Sequence, residues 1–248
     1  MKNIVILTHG WSGSSVFAGL FGKAGYWLGE DTFRKVDYDT FENADLVSLN
    51  KDLLQRLLPT LNHEHRFDEQ DVMEIERRAA GLDLQPCRKF VTECAKHSPW
   101  LWKDPRLTWT IRVWSRVLDL NETSFLVLTR DHTQAWISTN IRRHVQSGRF
   151  TRNYNGGITQ SNLRFLKEKG LPSLQVSFED LLLMPERTLE GMNEFFGINL
   201  TVELLRAVCR EPLGRKSRDW KDFVVASLIY LKNFRERDFR TYHEGSGA

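Results

Sequence analysis

Cysteine is scarce in this chain, and its apolar runs are short. The 248 residues hold three cysteines, Cys87, Cys94 and Cys209. The number is odd and no C-x-x-C pair occurs, so a disulfide framework is excluded and a reduced, cytoplasmic chain is expected. No run approaches the roughly 18 apolar residues that a membrane span needs. The N-terminal apolar stretch, NIVILT at 3–8, reads as a strand rather than a signal peptide. Charge of one sign is also lacking. Thirty-five Lys and Arg against 32 Asp and Glu leave a formal net charge of +3, too little for general nucleic-acid binding, although clustered cations can still make a local anion site. The G-x-x-x-x-G-K-[ST] loop of nucleotide triphosphatases is missing, which argues against a small-molecule kinase. A G-x-S-x-G elbow is missing too, so the HG at the end of the first strand does not make an α/β-hydrolase. No repeats, low-complexity tracts or second domain break the chain, and EGSGA at 244–248 reads as a loose tail.

What is present is an alternation of strands and helices. Strand-like runs occur at 3–8, 100–103, 123–129 and 173–177. Helical spacing puts Leu46, Leu49, Leu53, Leu54 and Leu57 on one face of a helix over 45–58. Asp104-Pro105 reads as the cap and first residue of another helix carrying Leu107, Ile111, Trp114 and Leu118. Further helices are expected at 133–146 and before Gly197, which suits a C-terminal cap. This order predicts one α/β domain over 1–248, a three-layer α/β/α stack with a central parallel sheet. Residues 60–98, polar and charged, read as a helical insertion covering the substrate. Ligands of such sheets sit beyond the carboxyl ends of the strands.

The first strand runs into HGWSGSS at 9–15 and then into a helix. Glycines let backbone N–H groups turn inward, serines add hydroxyl donors, and a helix N-terminus adds partial positive charge. This P-loop-like strand-loop-helix is an anion site built on Ser12, Gly13, Ser14 and Ser15. A second site is suggested by FLVLTRDHTQAWIS at 125–138. A buried strand delivers Arg130 to its end, and Ser138 follows two helical turns later; an Arg fork and a hydroxyl can share one phosphate.

Taken in order, these segments resemble the sulfotransferases that use 3′-phosphoadenosine 5′-phosphosulfate (PAPS), bacterial and carbohydrate-type members in particular. HGWSGSS is similar to the family's 5′-phosphosulfate loop, and Arg130 with Ser138 to its Arg-x7-Ser site for the 3′-phosphate. Phe41-Glu42-Asn43, WLWKDPR at 100–106, SFEDLLLMPERTLEGMNEFFGI at 177–198, and Gly214-Arg215-Lys216 with Asp219-Trp220-Lys221 resemble further family segments. The resemblance implies sulfuryl transfer from PAPS to a hydroxyl of a carbohydrate or small natural product, with the desulfated nucleotide (PAP) as product and no metal. It implies that Trp11 to Ser15 cradle the 5′ end, that Arg130 and Ser138 hold the 3′-phosphate, and that Arg215 and Lys216 close over it.

In-line displacement needs positive groups for the charge on the leaving oxygen and a base for the acceptor proton. Carbohydrate members imply Glu42 as that base; the alternative is that Glu42 flanks or caps the following helix. His9 is a second candidate base, or a hydrogen-bonded histidine at a strand end. Lys103 and Arg106 contact the sulfate or acceptor, or form an ion-pair network at the sheet edge. Relatives carry Lys or Arg where this chain has Trp11. Either Lys103, Arg106 or Lys23 replaces that cation, or the chain binds the nucleotide with weak or no catalysis. Trp100 or Trp102 could stack on a flat acceptor; Trp27, Trp109, Trp114 and Trp136 read as core. Arg142, Arg143, His144, Arg149 and Arg152 read as a solvated helix end or an attractor of anionic acceptors. His63-Glu64-His65 is the nearest approach to a metal-ligand spacing and is set aside as a metal site. Acceptor specificity is expected in 60–98 and 147–160.

Overall fold

The computed structural model describes residues 1–34 and 39–233; the tail at 244–248 lies outside the described residues. Four strands form one parallel sheet: β1 (Asn3–Thr8), β4 (Leu101–Lys103), β5 (Thr123–Thr129) and β6 (Ser173–Ser177), in the order β4-β1-β5-β6. A short antiparallel pair, β2 (Thr32–Arg34) and β3 (Asp39–Asn43), forms a separate two-stranded sheet. In register, Ile6 lies beside Lys103, Thr8 beside Leu128, and Thr129 beside Ser177. Because the strands are parallel, all four carboxyl ends meet one edge, and candidate residues stand there at the ends of β1, β4 and β5.

The period of two along the strands builds the layers. Ile4, Ile6, Leu126 and Leu128 face one side, under α1 (Ser14–Lys23), α8 (Phe178–Leu183), α9 (Pro185–Phe196) and α10 (Val202–Val208). Val5, Leu7, Phe125 and Val127 face the other, under α2 (Ala44–Leu57), α3 (Glu69–Arg78), α4 (Gln85–Ala95), α5 (Leu107–Trp114) and α7 (Gly148–Glu168). The expected three-layer α/β/α stack is therefore observed. α6 (His132–Ile141) packs against α11 (Trp220–Lys232) beside the sheet. No helix among the described residues is long and apolar enough to cross a membrane. The segment 60–98 is helical, and its Val72, Ile75, Cys87, Phe90 and Cys94 are buried within the second layer.

Three local expectations are corrected. The helix expected at Asp104 begins at Leu107. Buried Asp104 instead closes a turn, its carboxylate accepting from the Arg106 N–H (3.0 Å) and its carbonyl from the Leu107 N–H (3.0 Å). α6 stops at Ile141 rather than Gln146 because Asn140 competes for the backbone. Its amide donates to the Trp136 and Gln146 carbonyls and accepts from the Gln146 N–H. Trp100 and Trp102 are core rather than acceptor platforms: both are buried, their rings stack 4.5 Å apart, and Trp102 stacks on Phe90. Trp109 and Trp114 are core as expected, whereas Trp27 is half-buried and stacks on His97.

Asn50 ties the second layer to the sheet edge. Fully buried, it donates to Asp104 Oδ2 (2.8 Å) and accepts from Thr110 Oγ1 (2.8 Å) and Trp114 Nε1 (2.7 Å). Replacing it with Ala would strand a buried carboxylate and an indole N–H. We expect Asn50→Ala to cost about 3 kcal/mol of unfolding free energy in urea titrations, well beyond an ordinary surface substitution.

Candidate active site

The loop after β1 is organised by two residues with positive φ. Trp11 has φ 64° and Gly13, the residue before α1, has φ 83°. Only glycine fits at 13: a Cβ there would lie 2.5 Å from the Phe178 ring. Buried Ser12 accepts a 2.6 Å hydrogen bond from Thr8 Oγ1. Ser14 and Ser15 open α1, where the first-turn N–H groups of a helix have no intrahelical acceptors. The strand, loop and helix expected here are present.

Trp11 is held from both ends. Its carbonyl accepts from Arg130 Nη1 at 2.7 Å. Its ring meets the His144 ring edge-on at 4.5 Å, and the Arg142 guanidinium stands 5.1 Å above it. Two members of the basic run therefore sit on the loop, while Arg143, Arg149 and Arg152 are exposed.

Arg130 and Ser138 come together through a partner the sequence did not reveal. Arg130 Nη2 donates to Ser217 Oγ (2.8 Å), its Nε faces Glu179 Oε1 (3.5 Å), and its guanidinium stacks on Phe178. Ser138 Oγ accepts from Arg218 Nε at 3.1 Å. Gln134 clasps the incoming segment: its amide accepts from the Arg218 N–H (2.9 Å) and the Ser217 hydroxyl (3.2 Å), and donates to the Arg218 carbonyl (3.1 Å). Arg215 and Lys216 are exposed, and the neighbouring Ser217 and Arg218 contact Arg130, Gln134 and Ser138. Arg218 was legible only as one more cation in GRKSRDWK, and Gln134 as one polar helix residue. Burial presses Arg130 below its ordinary range; Glu179 opposes this and Arg218 adds to it.

On the other flank, Glu42 and Lys103 form an ion pair. Lys103 Nζ lies 2.8 Å from Glu42 Oε1, and the lysine is 1% exposed. Glu42 does not cap α2; Asn43 does, accepting from the Asp45 and Leu46 N–H groups. Arg106 is paired with Asp104 at 2.9 Å, the ion-pair alternative for this residue. His63 lies close by. Burial first, and Arg106 next, push its pKa down, and its carbonyl accepts from Tyr154 Oη at 2.6 Å. Among the described residues no group of three or more His, Cys, Asp or Glu is gathered in a metal-binding arrangement.

His9 is buried at the end of β1. Its Nδ1 donates to the Gly10 carbonyl at 2.7 Å. That bond fixes the neutral tautomer with Nε2 unprotonated. Burial, then Arg130 and His132, bring its pKa down to about 4. With Arg130, His132, Asn155, Thr159 and Gln160 it lines a cavity of about 200 Å³ between the strand ends and α7. A larger groove of about 670 Å³ between α9 and α10 touches none of the candidate residues. α7 was missed in the sequence because Gly156-Gly157 weakens its helical signal; Ser147 caps it by accepting from the Phe150 N–H.

No protein-family model matches the chain, and no curated protein matches it. Three solved structures similar to it are described as sulfotransferases. One is the sulfotransferase domain from the curacin biosynthetic pathway, at 16% identity, covering 86% of this chain and 80% of that one with a TM-score of 0.49. Another is the sulfotransferase domain from the Synechococcus PCC 7002 olefin synthase, at 17% identity, 92% and 88% coverage and a TM-score of 0.49. A third is the sulfotransferase STF9 from Mycobacterium avium, at 12% identity, 94% and 76% coverage and a TM-score of 0.47.

His9 makes stability depend on pH. Its folded pKa of about 4 lies below the ordinary 6.5, so the unfolded chain takes up the proton first as pH falls. The contribution is complete above about pH 6.5 and is lost progressively toward pH 4, by on the order of 3 kcal/mol. Urea midpoints of wild type and His9→Gln between pH 8 and 4 check this; the variant should lack that part of the acid slope.

Proposed function

We propose that this chain is a sulfotransferase that moves a sulfuryl group from PAPS to an acceptor hydroxyl by in-line displacement. One observation carries the reading. Arg130 donates to the Trp11 carbonyl of the glycine-serine loop and to Ser217 beside Ser138 and Arg218. Two anion sites are thereby joined through one buried cation, as a nucleotide with phosphates at both ends requires.

The residues suit such a donor. The loop from Ser12 to Ser15 offers hydroxyls and a helix N-terminus to the 5′-phosphosulfate. Arg130 and Arg218 flank Ser138 and Ser217, and their close approach favours a dianionic phosphate between them. The Trp11 carbonyl and the Ser217 hydroxyl are neutral acceptors, and a phosphate makes stronger, charge-assisted bonds to the same guanidinium. PAPS supplies the activated sulfuryl group, and PAP leaves. Lys103, buried beside β1 and held by Glu42, is the cation that meets the leaving charge in place of Trp11. Arg142, stacked on Trp11, adds positive potential at the loop. Arg106 holds Asp104 in its turn and so fixes the end of β4 that carries Lys103. The displacement itself requires no metal, and the acceptor is a small molecule or carbohydrate.

Calorimetry with two nucleotides tests the donor site. Arg130→Ala should weaken binding of PAP by roughly 100-fold, the worth of a charge-assisted contact. Binding of the analogue without the 3′-phosphate should change by only a few-fold. Equal losses for both would remove Arg130 from the 3′ site.

A further inference from the structure

We infer that the cavity between His9 and α7 is the acceptor subsite, that it takes a small uncharged polyhydroxyl compound, and that His9 Nε2 accepts the proton of the reacting hydroxyl. The inference rests on the sulfotransferase reading and assigns to His9 the proton-accepting role expected of Glu42.

The cavity is built for hydrogen bonds. Asn155, only 6% exposed, lines the cavity and brings a carboxamide that can both donate and accept. One turn further along α7, Thr159 adds a hydroxyl, and Gln160 stands exposed beside it. Gly156 has open space where a Cβ would project, which keeps this wall clear. The volume of about 200 Å³ equals roughly six or seven water molecules, enough for a glycerol or one sugar ring and too little for a drug-sized ligand.

Charge narrows the class. Arg130 and His132 face His9 from β5 and α6, α7 contributes only uncharged side chains, and no carboxylate lines the cavity among the described residues. The lining therefore offers a cationic amine no carboxylate to pair with. Apart from the two imidazoles the lining has no aromatic ring, so a flat phenol finds no stacking partner.

The chemistry follows from the fixed tautomer. Nδ1 is committed to the Gly10 carbonyl, so Nε2 carries the lone pair. The acceptor oxygen bonds to sulfur as its proton passes to Nε2. The bond from sulfur to the nucleotide phosphate oxygen breaks, and the nucleotide leaves with that electron pair. The proton on His9 is then released to solvent. Glu42, already paired with Lys103 at 2.8 Å, positions the lysine instead.

The test measures PAP binding, acceptor binding to the PAP-loaded protein, and PAP release from PAPS with glycerol, a free hexose, 4-nitrophenol or a primary alkylamine. We expect glycerol and the hexose to bind and react. His9→Gln should lower kcat by roughly 100-fold or more with PAP binding unchanged. Asn155→Leu and Gly156→Val should each raise the hexose KM by roughly tenfold, again with PAP binding intact. Two substitutions at different positions guard against a folding defect in one. If wild type does not bind PAP, the sulfotransferase reading falls and the acceptor site with it. If PAP binds but the polyols neither bind nor react, or if 4-nitrophenol or the amine is preferred, the acceptor assignment is overturned and the donor site stands. Full kcat in His9→Gln, with loss in Glu42→Gln, returns the base to Glu42.

Discussion

A guanidinium removed from water must be surrounded by acceptors, and Arg130 shows how far that need reaches. It leaves β5 with its side chain nearly enclosed, and it finds Glu179, the Trp11 carbonyl and the Ser217 hydroxyl. Those partners come from the end of β6, the loop after β1 and the segment before α11. Losing the carbonyl or the hydroxyl leaves a buried charge short of a bond, which costs more than an ordinary hydrogen bond contributes. The cation therefore fixes the relative positions of three chain segments far apart in sequence. The glycine-serine loop and the segment that reaches Ser138 are held together by this buried charge.

Much of the fold was legible because strands buried on both faces are continuous apolar runs. NIVILT and TSFLVLT needed only their composition and bounding loops to be read as parallel strands. The loop and the Arg130–Ser138 spacing were legible because glycine, serine and arginine carry their chemistry locally. What was not legible depended on pairs distant in sequence. Nothing in GRKSRDWK distinguishes Arg218 from Arg215; only the clasp by Gln134 selects it. Glu42 and Lys103 each stood out, but their ion pair needed β3 to lie beside β4. The turn at Asp104 was misread because Asp-Pro signals a helix start equally well when a tight turn precedes the helix.

The tryptophan in the loop changes where positive charge sits. A lysine there would deliver its ammonium directly. Trp11 offers instead an aromatic face on which Arg142 rests, with His144 at its edge, while Lys103 is brought in from the neighbouring strand. Positive charge at this sheet edge is thus spread over the ends of β4 and α6. Its strength follows the packing of those elements, and burial under Glu42 keeps Lys103 from being dissipated into solvent.

The clasp made by Gln134 bears on how the far end of the site is specified. Its amide bonds the N–H and the C=O of the same residue, Arg218, as a neighbouring strand would. One side chain acts as a single rung of sheet. Such a rung reads main chain and is indifferent to what the residue carries. The path of the chain across α6 and the charge presented at position 218 are therefore set by separate groups, and the charge can be altered while the path is kept.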